Sequence, residues 1–359
     1  MNILIHGFTQ VANFGDVLFA HIFCRELSNY GKVGFLDQKG VGIDPILVKE
    51  IQYDKTVNID NADIFVYMSG GYFGDTTRKL KEVIFRYRNY FRIAGICKKN
   101  RIPIVICGVS GGPLHNIILR KIIVDVLNSA KRITVRDIES KEYFEKYGVS
   151  QDITVTTDTA LALSYPEYSS YQEETSVIGK IKQKANGKKL LFFHIYPTDK
   201  ANLKIYEVIL PALNRFIKSH PDEFLVVVGA DKITSVDTIE NTRIFQDLEA
   251  DKVAFAYRDT KEMCGMLYAV DCTITVKFHV GIVACVYGKS VISFPIHPSK
   301  TQRFYRQIGC EERSVLLENI GVDEAYKLIE KYYSLPVSIP NEILNKAKQN
   351  YDKEFFNFI

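Results

Sequence analysis

The stretch ITVKFHVGIVACVYGKSVISF, residues 274–294, decides the fold. It runs from a short apolar strand through a Lys-Phe-His step into a small-residue apolar helix, and out into a second strand. Continuous apolar runs of this kind fit parallel strands covered on both faces. Lys277 and His279 fall where the first strand ends. A cation and an imidazole are costly in apolar surroundings unless something pairs with them, so their placement asks for a partner.

Outward from that stretch, the rest of the chain repeats the alternation. In the first half, strands are expected at 2–6, 32–36, 63–68, 103–107, 132–136 and 153–156, with helices at 15–29, 77–99, 116–129 and 137–147. Residues 164–176, SYPEYSSYQEETS, are polar and lack apolar periodicity, which makes them a linker. The second half then restarts the cycle with KLLFFHIYP, EFLVVVGA, KVAFAY, DCTITV and SVISF, each followed by a helix. Two tandem doubly wound, Rossmann-like α/β domains are the economical reading. The expected domains are 1–165 and 177–325, with C-terminal helices over 326–359 packing back across both. The pattern is that of a GT-B-like architecture with an interdomain cleft.

Bulk composition agrees with this reading. The 359 residues suit two domains, and 47% apolar with 25% charged is an ordinary globular balance. A formal net charge of +4 favours an anionic substrate or surface and is far from a nucleic-acid signature. No apolar run reaches the roughly 20 residues needed to span a bilayer, and MNILIHGF lacks the form of a signal peptide. The seven cysteines show no zinc spacing and read as reduced core residues of a cytoplasmic protein. No His/Asp/Glu set has metal-ligand spacing. The first strand is followed by HGFTQVANFG rather than a GxGxxG turn, which disfavours nicotinamide.

In doubly wound sheets, ligands bind at the carboxyl ends of the strands. Following the strands in order come HGFTQVANFGDVL, SGGYFGD, GVSGGPL, VRDIES, TTDTAL, KFH and FPIHPSK, a cluster of glycines, hydroxyls, Asp, Arg and His. The ordered set ANFGDVL, SGGYFGD, GVSGGP, TVRDIES, TDTAL and KFHVGIVACVYGKSVISF with the later Lys300 resembles the polysaccharide pyruvyl transferase family over roughly residues 10 to 310. The chain departs from the family's pattern at Lys277, where Arg is common. The charge is kept and the two-pronged fork is lost. The surroundings of His194 also differ, which points to a particular acceptor.

The resemblance implies transfer of the pyruvyl group of phosphoenolpyruvate onto two hydroxyls of one sugar, giving a cyclic ketal and phosphate in capsule, exopolysaccharide or cell-wall polymer synthesis. Phosphoenolpyruvate is then a donor substrate, and no cofactor or metal is expected. Such chemistry needs cations for carboxylate and phosphate and a proton-shuttling group. Arg136 and Lys277 are the expected anion clamps, and His279 the general acid or shuttle. Asp16 or Asp75 is the candidate base. Asn13, Phe278, Lys300 and His194 are assigned to substrate, with Gly70, Gly71, Gly111 and Gly112 letting backbone approach it. His115 and His297 have weaker claims, and Asp158 is read as ordering the cleft wall.

A further expectation concerns residues 77–101, TRKLKEVIFRYRNYFRIAGICKKNR. On a helix, Leu80, Ile84, Tyr87, Phe91 and Ala94 form one apolar face, taken to pack on the sheet. Arg78, Lys81, Arg88, Arg92 and Lys99 form another, with Phe85 among them and only Glu82 in opposition. That face is either a solvated surface or a dock for anionic lipid, holding the protein at the inner face of the membrane near a polyprenyl-linked acceptor. Two other readings of the whole stay open: a GT-B-type glycosyltransferase using a nucleotide sugar, and a non-catalytic glycan-binding relative.

Overall fold

A computed structural model describes residues 1–7, 13–36, 43, 45–75, 79–163, 173–232, 234–296 and 298–352. The chain divides into two compact units. The first holds residues 1–12, 16–162 and 341–359, and the second holds 13–15 and 163–340.

The first unit is built on β1 (Asn2–His6), β2 (Lys32–Phe35), β3 (Ile64–Tyr67), β4 (Gly70–Asp75), β5 (Ile104–Leu114), β6 (Arg132–Val135) and β7 (Ile153–Val155). Their order is β2-β1-β3-β5-β6-β7, with β4 paired to β5, and every pairing is parallel. Crossover helices join them: α1 (Phe14–Leu27), α2 (Pro45–Glu50), α3 (Leu80–Arg86), α4 (Arg92–Asn100), α5 (Ile117–Ser129) and α6 (Ile138–Lys146). Asn116 and Asp137 cap α5 and α6 by accepting backbone N–H bonds from Leu119 and Ser140. The core packs Leu4, Phe65, Tyr67, Phe73, Phe91, Ile106 and Phe144.

Two expectations are corrected here. SGGYFGD and GVSGGPL, placed after the ends of strands, are themselves largely strand: β4 lies beside an eleven-residue β5, with Gly70 opposite Val109 and Phe73 opposite Gly111. At Gly111, an added Cβ would lie 2.8 Å from the Phe144 ring, so glycine lets α6 pack directly on the strand. The second correction concerns the single apolar face over 80–94. A π-helical turn, Tyr87–Phe91, joins α3 to α4. The extra residue in such a turn rotates everything after it by roughly 100°. Phe91 and Ala94 therefore join Val83 in the core, whereas Leu80, Ile84 and Tyr87 are 60%, 50% and 42% exposed.

The second unit has β8 (Lys189–His194), β9 (Phe224–Gly229), β10 (Lys252–Phe255), β11 (Cys272–Thr275) and β12 (Ser290–Ser293). They form a parallel sheet of order β10-β9-β8-β11-β12. Its helices are α7 (Val177–Ala185), α8 (Asp199–Lys204), α9 (Leu210–Ser219), α10 (Val236–Glu240), α11 (Arg243–Asp247), α12 (Thr260–Ala269), α13 (Phe278–Val286), α14 (Pro298–Gln307) and α15 (Val322–Tyr332). Most of the expected linker, residues 164–172, lies outside the described residues. Its end is ordered by Ser176, whose hydroxyl accepts from Gly179 N–H and starts α7. The chain order of this sheet reverses between β8 and β11, the place where doubly wound folds take their ligands.

The last helix, α16 (Asn341–Lys348), belongs to the first unit. Asn350, just beyond it, is fully buried there. Its amide oxygen accepts from the Thr134 and Thr156 hydroxyls, and its amide nitrogen donates to Thr157 O and Thr159 Oγ1.

Candidate functional site

The reversal point of the second sheet is where this unit concentrates its chemistry. His194 ends β8 and Lys277 follows β11 by two residues. The Thr275 hydroxyl accepts from Lys277 N–H at 2.9 Å, turning the chain out of the strand. Lys277 then stands at the cap of α13, making no side-chain cap bond of its own. An ammonium only donates, so it cannot cap the helix N–H groups, and among the described residues it meets two partners. Asp231 Oδ2 lies 3.3 Å away, and the Tyr196 ring centroid 5.1 Å.

Asp231 is shared. Its other carboxylate oxygen accepts from His194 Nε2 at 3.4 Å, and its backbone carbonyl accepts from Phe14 N–H at 3.1 Å. A carboxylate only accepts, so His194 carries its proton on Nε2. Its Nδ1 has no hydrogen-bond partner among the described residues. Burial pushes the His194 pKa down, which keeps the ring neutral near pH 7. Burial alone would raise the Asp231 carboxyl, but the His194 hydrogen bond and the Lys277 ammonium outweigh it and hold it well below the usual carboxylate range. Burial pushes the Tyr196 hydroxyl up to about 12, and Asp231 adds to that. The cluster therefore holds one cation and one anion around two neutral rings.

His279 is the second residue of α13, half-buried, with its ring 4.9 Å from that of Phe278. Phe278 packs edge-on against Phe304 of α14, and a Cβ on Gly281 of α13 would meet the Tyr305 hydroxyl at 2.8 Å. Close packing of these two helices thus fixes the start of α13. Gly15 is glycine for a local reason: a Cβ there would collide with the His279 imidazole. Asn13, Phe14 and Gly15, Lys277, Phe278, His279 and His194 therefore all belong to the second unit. Lys300 lies exposed on α14.

The other predicted residues lie in the first unit. Arg136, after β6, is only 5% exposed, and its guanidinium donates to Asp158 Oδ2 at 3.0 Å. Asp137 lies 3.8 Å from its Nε. Asp158 also accepts from Ala160 N–H, and Asp137 accepts from both the N–H and the hydroxyl of Ser140. The Ser140 hydroxyl in turn accepts from Gly111 N–H. Arg136 is thus held by buried carboxylates behind the Gly111–Gly112 strand. Asp16 lies in the first turn of α1, where a carboxylate suits the helix dipole. Gly70 and Gly71 open β4. His115 is exposed. Asp75 ends β4, but its side chain, like the whole of Arg78 and His297, lies outside the described residues. Among the described residues no group of three or more His, Cys, Asp or Glu could hold a metal ion.

Asp231 and Tyr196 were not singled out in the sequence. A signal existed, since each follows the end of its strand by two residues.

Two doubly wound parallel sheets, each with crossover helices, define a GT-B-like α/β protein. Solved structures with the same fold span almost the whole chain. They include S. aureus MnaA with UDP (12% identity, TM-score 0.63, covering 100% of this chain and 98% of that one). Neisseria meningitidis UDP-GlcNAc 2-epimerase bound to UDP-GlcNAc follows at 13% identity and TM-score 0.62, covering 100% of both chains. Methanocaldococcus jannaschii UDP-GlcNAc 2-epimerase gives 12% and 0.66, covering 99% of both. No curated protein matches the sequence. The family model of the polysaccharide pyruvyl transferases matches residues 13–298, and the chain belongs to that family.

Proposed function

We propose that this protein transfers the pyruvyl group of phosphoenolpyruvate onto two hydroxyls of one sugar, without a further cofactor. The observation that carries the reading is Lys277-Phe278-His279 at the reversal point of the second sheet, in a chain of this family. One sugar oxygen bonds to C2 of the enol phosphate while C3 gains a proton. The second oxygen then bonds to C2 as the C2–O bond to phosphate breaks. Of the two hydroxyl protons, one balances the proton gained at C3 and the other leaves with phosphate. His279 is assigned the proton delivered to C3. Lys277, aided by the first N–H groups of α13, is assigned to the donor's negative charge. Arg136 already donates to Asp158, and its guanidinium, with five N–H donors, is assigned an anion contact beside that one.

The experiment is incubation with phosphoenolpyruvate and candidate polyprenyl-linked sugars, reading phosphate release and the mass of a pyruvyl ketal. Phosphate without a ketal, or neither product with any acceptor, counts against it. The structural neighbours crystallised with UDP and UDP-GlcNAc favour one rival, a nucleotide-sugar enzyme. A thermal shift with UDP-sugars and none with phosphoenolpyruvate supports that rival.

The working place proposed is an anionic membrane surface. Among the described residues no helix is long and apolar enough to cross a membrane. Leu80, Ile84, Phe85 and Tyr87 are all exposed, beside exposed Lys81, Arg88 and Arg92, while Glu82 is engaged by Arg86. Apolar side chains inserted at the headgroup level, with cations adding about 1 kcal/mol each, give reversible, salt-sensitive attachment. Wild-type protein should sediment with anionic vesicles at low salt and not with neutral ones. Unchanged sedimentation of the Leu80→Ser/Arg88→Glu/Arg92→Glu variant refutes the surface.

A further inference from the structure

We infer that Asp231 is a positioning residue that fixes the Lys277 ammonium at the ligand edge of the second sheet, and that His194 holds Asp231 in place. The inference rests on the proposed role of Lys277 and adds two residues to it. A lysine stem has many rotamers, and an ammonium partly exposed at a strand end needs a reason to stay in one. The structure supplies three. Asp231 meets the ammonium at 3.3 Å from one direction, the Tyr196 ring at 5.1 Å gives it a π face, and the Lys277 backbone is tied to Thr275. The Lys277 side chain is 27% exposed whereas that of Asp231 is 7%. The carboxylate therefore grips the cation from the protein side and leaves the solvent side for a ligand.

His194 is the anchor behind the carboxylate. It is fully buried at the end of β8, and its geometry is fixed by the strand and by an edge-on contact with Tyr196 at 5.7 Å. A neutral imidazole donor orients the carboxylate, and the ammonium that meets its other oxygen is that of Lys277. A structural counter-ion need not be arranged this way. Here the carboxylate also carries, on its backbone, the hydrogen bond to Phe14, the residue beside the Gly15 that admits the His279 ring. The same residue thus registers both the cation and the segment that borders the imidazole.

The test is a double-mutant cycle read by calorimetry with phosphoenolpyruvate as the probe, using the full chain. Asp231→Asn should weaken binding about tenfold in the wild-type background and have no effect in Lys277→Met, because a positioning role disappears with the group positioned. His194→Gln, which keeps a donor, should bind better than His194→Leu. An equal loss from Asp231→Asn in both backgrounds shows a merely structural role and overturns the inference. So does tighter binding by Asp231→Asn, which shows the carboxylate only competing for the lysine. If wild-type protein gives no heat with phosphoenolpyruvate, the proposed function falls instead. The Asp231–Lys277 pairing is then judged by the same cycle in urea unfolding, where additive shifts of the midpoint overturn it.

Discussion

His6 ends β1 at the reversal point of the first sheet, fully enclosed by Phe65, Tyr67 and Tyr90 at ring distances near 6 Å. Its Nε2 donates to the Asn89 carbonyl of the π turn at 2.8 Å. Burial pushes its pKa down to about 4, against the raising effect of that hydrogen bond. Between pH 6.5 and 4 the unfolded chain therefore binds a proton that the folded chain refuses, so stability falls as pH falls through that window. The shift corresponds to roughly 3 kcal/mol. Asp231 pulls in the same direction only below the ordinary carboxylate pKa, so the two windows separate. Urea unfolding of His6→Gln from pH 7 to 4 should show a flatter profile than wild type, and parallel profiles would contradict the assignment. At the proposed reaction centre, His279→Ala should lower turnover by ~10²–10⁴-fold with the fold intact. Gly15→Ala should do comparable damage by displacing the ring, with phosphate release as the common readout. The Lys277–His279 pair was legible because polar residues at an apolar strand end are conspicuous. Asp231, Tyr196 and the Arg136–Asp158 pairing were not, because their partners lie 22 to 81 residues away and meet only in three dimensions.

The helix of residues 80–100 shows what one extra residue does to an element. Its π turn divides apolar residues that share a face in an ideal helix into a buried set and an exposed set. Phe91→Ala should cost about 3–5 kcal/mol, as expected for an aromatic ring removed from a core. Leu80→Ser should change stability by no more than ~0.5 kcal/mol, since its side chain meets mostly solvent. Chemical denaturation of the two variants decides the matter, and similar losses would return Leu80 to the core. The parallel strands were readable as apolar runs, and β8 to β12 fall where the sequence places them. The pairing of β4 with the far half of β5 was not readable. Glycine-rich segments carry little strand propensity, and what makes them strands is a neighbour supplied by the fold.

At the scale of the molecule, both sheets follow the doubly wound pattern, yet the first unit is assembled from separated pieces of chain. Asn350 closes it through four hydrogen bonds to the threonine-rich ends of β6 and β7, two received and two given. Asn350→Ala should cost on the order of 2–5 kcal/mol by orphaning buried hydroxyl and carbonyl groups, measured as a lower urea midpoint. A loss under 1 kcal/mol would mean that water replaces the amide. The same closure sets an order of events at the ribosome. Residues 1–162 emerge first, but the segment that completes their hydrogen bonds is translated only after 163–340. At ~5–20 residues per second, that is a delay on the order of ten to thirty seconds. During that interval the nascent first unit stands with Thr134, Thr156 and Thr159 still unmatched by Asn350, open to water and to chaperones, and the second unit has every residue it needs to fold before Asn350 is made.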